Sequence, residues 1–472
     1  MFSIVTINVP VDRDTVKSVE SNPGARPRPH WVGQLTSSRF RRLSREFLWI
    51  VLGKVAAVAG AVVGVRLLTE LLNQTIYGQL GLGMTVATLI WQLVLGPISN
   101  GATRFYAPAC EVKALHRHIS VVKELLCKAT AGIMIASILL CLGLLLAGES
   151  RWIALAVAAI CFAVLSGYNS VLSGMQNAAR QRAIVALHQG LASWGRFLMA
   201  AAMVWWLGPS SAVAMLGYAL AIVLVLSSQW WFFLRALRRE NAPSVATDVP
   251  DEQWRSQIVA YAWPFATWSL LGWAALAADR WSLQMFTSSY EVGLYAVLFQ
   301  LGFYPITMLT AMGTQLLAPI YFQRVGDASD PARVLKVYAL GRRITMLAVL
   351  CTLLMAVVCL IFHEPIFSLL VAKEYASVSN LLPLMVLAAG LWAAASFSTI
   401  LLHAERSTSF LLVPKNVSNG LGIVLTLLGA FWHGMLGVII AKIIYSIVHL
   451  LWITAIVRRH SACLRATVPR DE

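Results

Sequence analysis

The sequence carries little charge for its length. Charged residues make up 12% of the 472 residues and hydrophobic residues 58%, whereas soluble domains are typically about one quarter charged. Apolar stretches of about twenty residues recur from Phe47 to Val457, and each is long enough to cross a bilayer as a helix. This pattern excludes a soluble globular protein. It predicts an all-α polytopic membrane protein with about twelve transmembrane helices.

The sequence also lacks the usual signatures of enzymes and metal sites. Its seven cysteines are scattered, show no metal-ligand spacing and are odd in number, so they give no disulfide framework. No phosphate-cradling glycine loop, nucleophile elbow or metal motif is present. The predicted outer loops are short, and the largest runs from His363 to Tyr375. We therefore expect no metal, no cofactor and no enzymatic activity.

Acidic residues are scarce beside the basic ones. There are 21 acidic and 37 basic residues, which gives a net charge of +16. About thirty basic residues lie in loops on the side of both termini, two (Arg151 and Lys373) on the other side and five within spans. Basic loops mark the cytoplasmic side of a membrane protein. The charge therefore predicts cytoplasmic termini and gives no reason to expect a nucleic-acid partner.

The pattern predicts two related halves. Gly78 and Gly293 each open a span after a short outer loop, and Tyr106 and Tyr321 follow them at the same offset. Two such repeats suit two six-helix lobes that rock around a central cleft. The predicted divisions are a cytoplasmic tail (1–45), an N-lobe (46–236), a cytoplasmic linker (237–256), a C-lobe (257–458) and a cytoplasmic C-tail (459–472).

Five cations lie inside apolar stretches, where each costs about 2.5–3.5 kcal/mol at a helix centre if it faces lipid. They are Lys54, Arg66, Arg196, Arg280 and Lys442. Arg66 precedes Gly78 much as Arg280 precedes Gly293, so we expect both arginines to flank the cleft. Arginine suits bidentate binding of phosphate or carboxylate. Their positions therefore predict an anionic cargo.

Each of these cations also has a simpler interpretation. Arg66 and Glu70 are spaced as an i,i+4 ion pair at the outer interface, and Lys54 is close enough to the cytoplasmic end to snorkel. Arg196 is central in its span, where it either lines the cavity or pairs with a group on another span. Lys442 has the same two alternatives. Asp279 and Glu70 are the acids that lie clearly inside spans, so they are candidates for ion coupling.

Several segments resemble bacterial Wzx-type polysaccharide flippases of the multidrug/oligosaccharidyl-lipid/polysaccharide exporter superfamily. The resemblance rests on Asp279–Tyr295 with its continuation to Ala318-Pro319, on Ile76–Gly78, and on Leu370–Tyr375 leading into Leu381–Leu384. It implies twelve helices in two lobes and cytoplasmic termini. It further implies substrate-binding roles for Arg66, Arg104 and Arg280, to which the position of Arg196 adds a fourth candidate. The long N-terminal tail departs from the family pattern.

The resemblance implies movement of a lipid-pyrophosphate-linked oligosaccharide across the bacterial inner membrane by alternating access. The expected partners are this cargo on undecaprenyl pyrophosphate, the lipid bilayer and other membrane proteins of polysaccharide assembly. Two alternatives stay open from the sequence. One is a multidrug or cation antiporter of the same superfamily, and the other is a membrane-embedded glycan polymerase or ligase.

Overall fold

The structure is a computed structural model that describes residues 37–240, 250–325, 330–404 and 409–467. The chain divides into two units, Met1–Leu48 and Trp49–Glu472. The described part of the first unit is helical, and everything that follows concerns the second. Most of the predicted tail, the centre of the predicted linker, the last residues of the C-tail and the side chain of Lys54 lie outside the described residues.

The described residues form long helices and no β-strand, which confirms the predicted all-α membrane fold. In chain order the α-helices are α1 (Ser37–Leu71), α2 (Gln74–Ile90), α3 (Gly96–Glu111), α4 (Leu115–Leu146), α5 (Ile153–Ala178), α6 (Arg182–Leu207), α7 (Ser211–Glu240), α8 (Asp251–Phe286), α9 (Ser289–Leu298), α10 (Tyr304–Val325), α11 (Pro331–Leu370), α12 (Leu382–Ala404) and α13 (Ser409–Thr467).

These helices combine into about twelve membrane-crossing segments. The pairs α2–α3 and α9–α10 are each continuous through a short π-helical segment, and α13 bends at His433 and Gly434, where Gly434 has a φ of 54°. Within the described residues, eight helical segments are long and apolar enough to cross a membrane by length and composition alone. The outward faces of these segments are rich in leucine, as a lipid-facing surface requires.

Two of the crossing segments are interrupted in the same way, by a π-helical segment followed by a proline. The π-helical segment Trp91–Leu95 ends two residues before Pro97, and the segment Phe299–Phe303 ends two residues before Pro305. Proline cannot donate a backbone hydrogen bond to the preceding turn, so the helix widens locally by one residue. Such π-bulges occur frequently at functional sites. Here both segments lie against an internal cavity, described below.

Helices α2 and α9 approach each other at paired glycines. A Cβ atom on Gly78 would lie 2.0 Å from the carbonyl oxygen of Ser289, and one on Gly293 would lie 1.9 Å from that of Gln74. Both distances are far below van der Waals contact. The two glycines that mark the sequence repeat therefore pack backbone against backbone.

We expect Gly293→Ala to force α2 and α9 apart. Because the neighbour is backbone, it has no flexible side chain that could move aside, and overpacking of this kind typically costs about 1–3 kcal/mol. Thermal unfolding in detergent measures the loss. Gly143→Ala is the matched control, since a Cβ atom on Gly143 in α4 meets nothing within 4 Å. Equal stability of the two variants would contradict the close approach.

Candidate functional site

A cavity of about 620 Å³ lies inside the second unit, bounded by α2, α6, α7, α8, α9–α10, α12 and α13. We refer to it as the central cavity. Three cationic side chains line it, Arg196, Arg280 and Lys415. Among the described residues that line it, none is acidic. The central cavity is therefore positively charged.

The two arginines retain free hydrogen-bonding capacity. The Nε atoms of Arg196 and Arg280 are buried and make no hydrogen bond to any described residue. Each guanidinium lies over an aromatic ring, with Cζ of Arg196 4.6 Å from the Phe197 centroid and Cζ of Arg280 4.8 Å from the Phe299 centroid. Such stacking fixes the plane of the group, and both arginines are partly exposed and line the central cavity. Both arginines are thus positioned to bind phosphate or carboxylate oxygens.

Other lining residues suit an uncharged polar ligand. The side-chain amides that line the central cavity are Gln92, Gln300 and Asn419, and the larger aromatic side chains include Trp273, Tyr304 and Trp392. Amides both donate and accept hydrogen bonds, which matches sugar hydroxyl groups. Aromatic rings give flat apolar surface for the CH faces of sugar rings. Gln92, Phe299 and Gln300 come from the two π-helical segments, so the interrupted helices supply part of this lining.

A buried ion pair lies beside the central cavity. Lys442 Nζ is 2.5 Å from Asp279 Oδ2, and the two side chains are 0% and 1% exposed. The hydroxyl of Tyr295 donates to the same carboxylate oxygen, and the Lys442 ammonium lies 4.8 Å from the Phe303 ring centroid. Lys442 therefore neutralises the Asp279 carboxylate. The charge of Arg280, the next residue in the chain, is not neutralised by Asp279.

Arg66 lies in a different environment from Arg280. It forms an ion pair of 2.6 Å with Glu70, and it donates to the backbone oxygens of Ser368, at 3.0 Å, and Val371. Those oxygens lie at the end of α11, where helical carbonyl groups lack partners within the helix. The structure therefore places Arg196, not Arg66, in the central cavity with Arg280. The substrate-binding role of Arg66 and the ion-coupling roles of Glu70 and Asp279 stay predictions.

The polar residues that recur at helical spacing around Pro97, from Gln92 to Arg104, divide between two roles. Gln92 lines the central cavity, whereas the Ser99 hydroxyl lies 3.3 Å from that of Ser170 on α5. Arg104 is exposed on α3 and does not line the cavity, and its predicted substrate-binding role is untested. Only the start of this polar stripe thus reaches the cavity, and the part around Ser99 joins two helices.

Sequence reasoning missed Lys415 and Asn419. The two residues follow Pro414 in an apolar stretch and are four positions apart, so they share one helical face. That spacing is the signal that could have found them. The described residues contain no group of three or more histidine, cysteine, aspartate or glutamate side chains that could hold a metal ion.

Solved structures with the same fold are membrane transporters. The chain is similar to the lipid II flippase MurJ in an inward closed conformation, with 12% identity, 89% of each chain covered and a TM-score of 0.63. It is also similar to the Vibrio cholerae MATE transporter VcmN in the bent form, with 16% identity, 91% of this chain and 98% of that chain covered and a TM-score of 0.54. An inward-facing MATE family transporter of the MOP superfamily is similar at 14% identity, with 88% of this chain and 96% of that chain covered and a TM-score of 0.56. At these identities the likeness establishes the fold alone.

Fold and cavity together define a multi-pass α-helical membrane protein with a cationic internal cavity. Comparison of the sequence with family profiles identifies the family. A profile of the polysaccharide biosynthesis protein family matches residues 43–325, which is more than half of the chain, and the chain belongs to that family. No curated protein sequence matches it.

Proposed function

We propose that the protein is a flippase that moves a lipid-pyrophosphate-linked oligosaccharide across the bacterial inner membrane for surface polysaccharide synthesis. The observation that carries this proposal is the composition of the central cavity. Arg196 and Arg280 line the cavity and offer guanidinium charge for a diphosphate, and the amides and aromatic rings beside them suit the sugars. Membership of the polysaccharide biosynthesis family supports the same class of cargo.

Binding would use charge and shape with no covalent step. The pyrophosphate carries negative charge that would lose its hydration on entering the cavity, and charge-assisted hydrogen bonds to arginine replace that hydration. The isoprenoid chain needs no polar contact and stays in the bilayer. A cationic drug, by contrast, would be repelled by the same arginines. The positive cavity therefore favours the flippase over the multidrug antiporter.

Alternating access requires one end of the protein to open while the other is closed. In this structure α1 is joined to the end of α11 and the residues after it by Arg66, by a hydrogen bond of 2.8 Å from the Tyr375 hydroxyl to the Leu72 backbone oxygen, and by one of 3.2 Å from the Ala372 backbone NH to the Thr69 hydroxyl. With cytoplasmic termini, these contacts lie at the outer end. We infer that they close the outer end and break when the glycan is released.

Proteoliposomes test the proposed function directly. Purified protein is reconstituted with a fluorescent undecaprenyl-pyrophosphate-linked oligosaccharide, and a membrane-impermeant quencher reports the fraction in the outer leaflet over time. We expect the protein to accelerate quenching of this probe but not of a fluorescent phosphatidylcholine. Equal acceleration of both probes would indicate non-selective lipid scrambling. No acceleration of either probe would contradict the proposed function. Protein-free liposomes give the background rate.

A further inference from the structure

A second cavity, of about 300 Å³, lies between α11 and the C-terminal part of α13, with Ser398 and Leu401 of α12 behind it. We refer to it as the α11–α13 groove. It shares no lining residue with the central cavity. None of the sites proposed above involves it.

The groove is built from one face of each helix. The lining residues of α11 are Leu335, Tyr338, Ala339, Arg342, Thr345, Met346 and Val349, and those of α13 are Leu450, Leu451, Thr454, Val457, Arg458, Ser461 and Arg465. Successive members are mostly three or four positions apart, which is the spacing of a single helical face. Each helix therefore presents a continuous strip to the groove.

The basic residues of the two strips lie at similar levels along the groove. The strips run in opposite chain directions, and the Tyr338 ring of α11 lies 6.1 Å from the His460 ring of α13. With a rise of 1.5 Å per residue, Arg342 lies about 6 Å from Tyr338 along α11, and Arg458 lies about 3 Å from His460 along α13 in the same direction. The two arginines therefore lie at nearly the same level. Arg465 lies further toward the end of α13.

The arginines of the groove have no acidic partner within the described residues. Arg342 and Arg458 are exposed, and Asp330, at the start of α11, is already paired with Arg333 at 3.2 Å. The opposite end of the groove is apolar and open to the bilayer, since Met346 is 57% and Leu451 63% exposed. One end is thus cationic and the other hydrocarbon-like.

We propose that the α11–α13 groove binds an anionic phospholipid of the bilayer. Its phosphate lies between Arg342 and Arg458, and one acyl chain lies along Met346, Val349 and Leu451. Charge complementarity selects this occupant, because arginine forms bidentate hydrogen bonds to phosphate and only a lipid would also use the apolar end. The chain's own basic stretch Arg39–Arg45 has the wrong sign. This proposal is independent of the transported cargo.

Phosphatidylglycerol and phosphatidylcholine are the probes. The full-length protein in neutral detergent is titrated with each lipid, and binding is followed by native mass spectrometry and by the rise in unfolding temperature. We expect one phosphatidylglycerol to be retained in preference to phosphatidylcholine. Arg342→Gln with Arg458→Gln should weaken phosphatidylglycerol binding about 30-fold and abolish its stabilising effect.

The neighbouring arginines provide a matched control. Arg343→Gln with Arg459→Gln removes the same charge from the same two helices, but neither residue lines the groove. This control should bind phosphatidylglycerol as the unaltered protein does. Ala339→Trp, which fills the groove and keeps both arginines, should lose the lipid. These two variants separate a built site from general attraction to basic helix ends.

Three outcomes would overturn the proposal. Equal loss of binding in the two arginine pairs would assign the effect to net charge. Full competition by inorganic phosphate at millimolar concentration would mean that the acyl chain contributes nothing. Preferential retention of undecaprenyl phosphate over phosphatidylglycerol would make the groove a site for the cargo lipid. Because none of these readouts measures transport, failure here leaves the proposed flippase function untouched.

Discussion

Replacing Arg280 by alanine is expected to abolish glycan export while the protein stays in the membrane at its normal level. Arg280 lines the central cavity and is partly exposed to it, and a charged hydrogen bond to a bound anion contributes about 1.5–3 kcal/mol. We therefore expect binding of the lipid-linked pyrophosphate to weaken about 10- to 100-fold. Surface glycan in a complemented deletion strain and binding to purified protein measure the two effects. Arg196→Ala should act in the same direction.

Other arginines serve as controls for the Arg280 result. Arg151→Ala removes the same charge from an exposed position outside the cavity and should leave cargo binding unchanged. Arg66→Ala removes the contacts to the end of α11, so it should impair transport with cargo affinity preserved. Arg280→Lys keeps the charge but lacks the planar guanidinium group, so it should bind cargo better than Arg280→Ala and less well than the unaltered protein. Normal export in both Arg280→Ala and Arg196→Ala would contradict the role assigned to the cavity.

Replacing Lys442 by methionine is expected to destabilise the protein more than Gly293→Ala does. It leaves the Asp279 carboxylate buried with no cation, and breaking a buried ion pair in this way typically costs about 3–5 kcal/mol. The double variant Asp279→Asn with Lys442→Met removes both charges, and the asparagine oxygen can still accept from the Tyr295 hydroxyl. We expect it to recover most of the stability. Thermal unfolding of Lys442→Met, Asp279→Asn, the double variant and the unaltered protein completes a double-mutant cycle for the ion pair.

The same cycle distinguishes two roles for Asp279. If the pair only balances charge, the double variant should transport as well as the unaltered protein. If Asp279 carries a coupling ion, the double variant should fold normally and lose the dependence of transport on the ion gradient. A double variant that is as unstable as Lys442→Met would contradict the pairing itself. Transport in proteoliposomes with an imposed proton or sodium gradient provides the readout.

Much of the fold followed from local properties of the chain. Twenty-residue apolar stretches admit only helices in a bilayer, because every backbone polar group must be satisfied within the segment. The repeated glycines Gly78 and Gly293, which the sequence places at equivalent positions, lie where α2 and α9 approach each other, and Pro97 follows the interruption of one crossing helix. Each of these features depends on one residue and its immediate neighbours.

The candidate site was only partly predictable. Arg196 and Arg280 stood out because a cation in a long apolar stretch has to face protein or water. Comparable sequence position then suggested Arg66 as the partner of Arg280, but the C-terminal end of α1 packs against the end of α11, where backbone carbonyl oxygens bind Arg66. Lys415 and Asn419, which follow Pro414 in a stretch of the same kind, carried a comparable signal and were missed. Sequence position therefore located cations in the bilayer without identifying their neighbours.

The sequence by itself determined that this protein is a polytopic helical membrane protein with cations inside its spans. Those properties follow from composition and spacing, which act within single helices. Only the tertiary structure decided which charges are free. Lys442 and Asp279, 163 positions apart, neutralise each other, whereas Arg280, adjacent to Asp279, faces the central cavity. Pairing between distant helices depends on how they pack, and no local pattern specifies that arrangement.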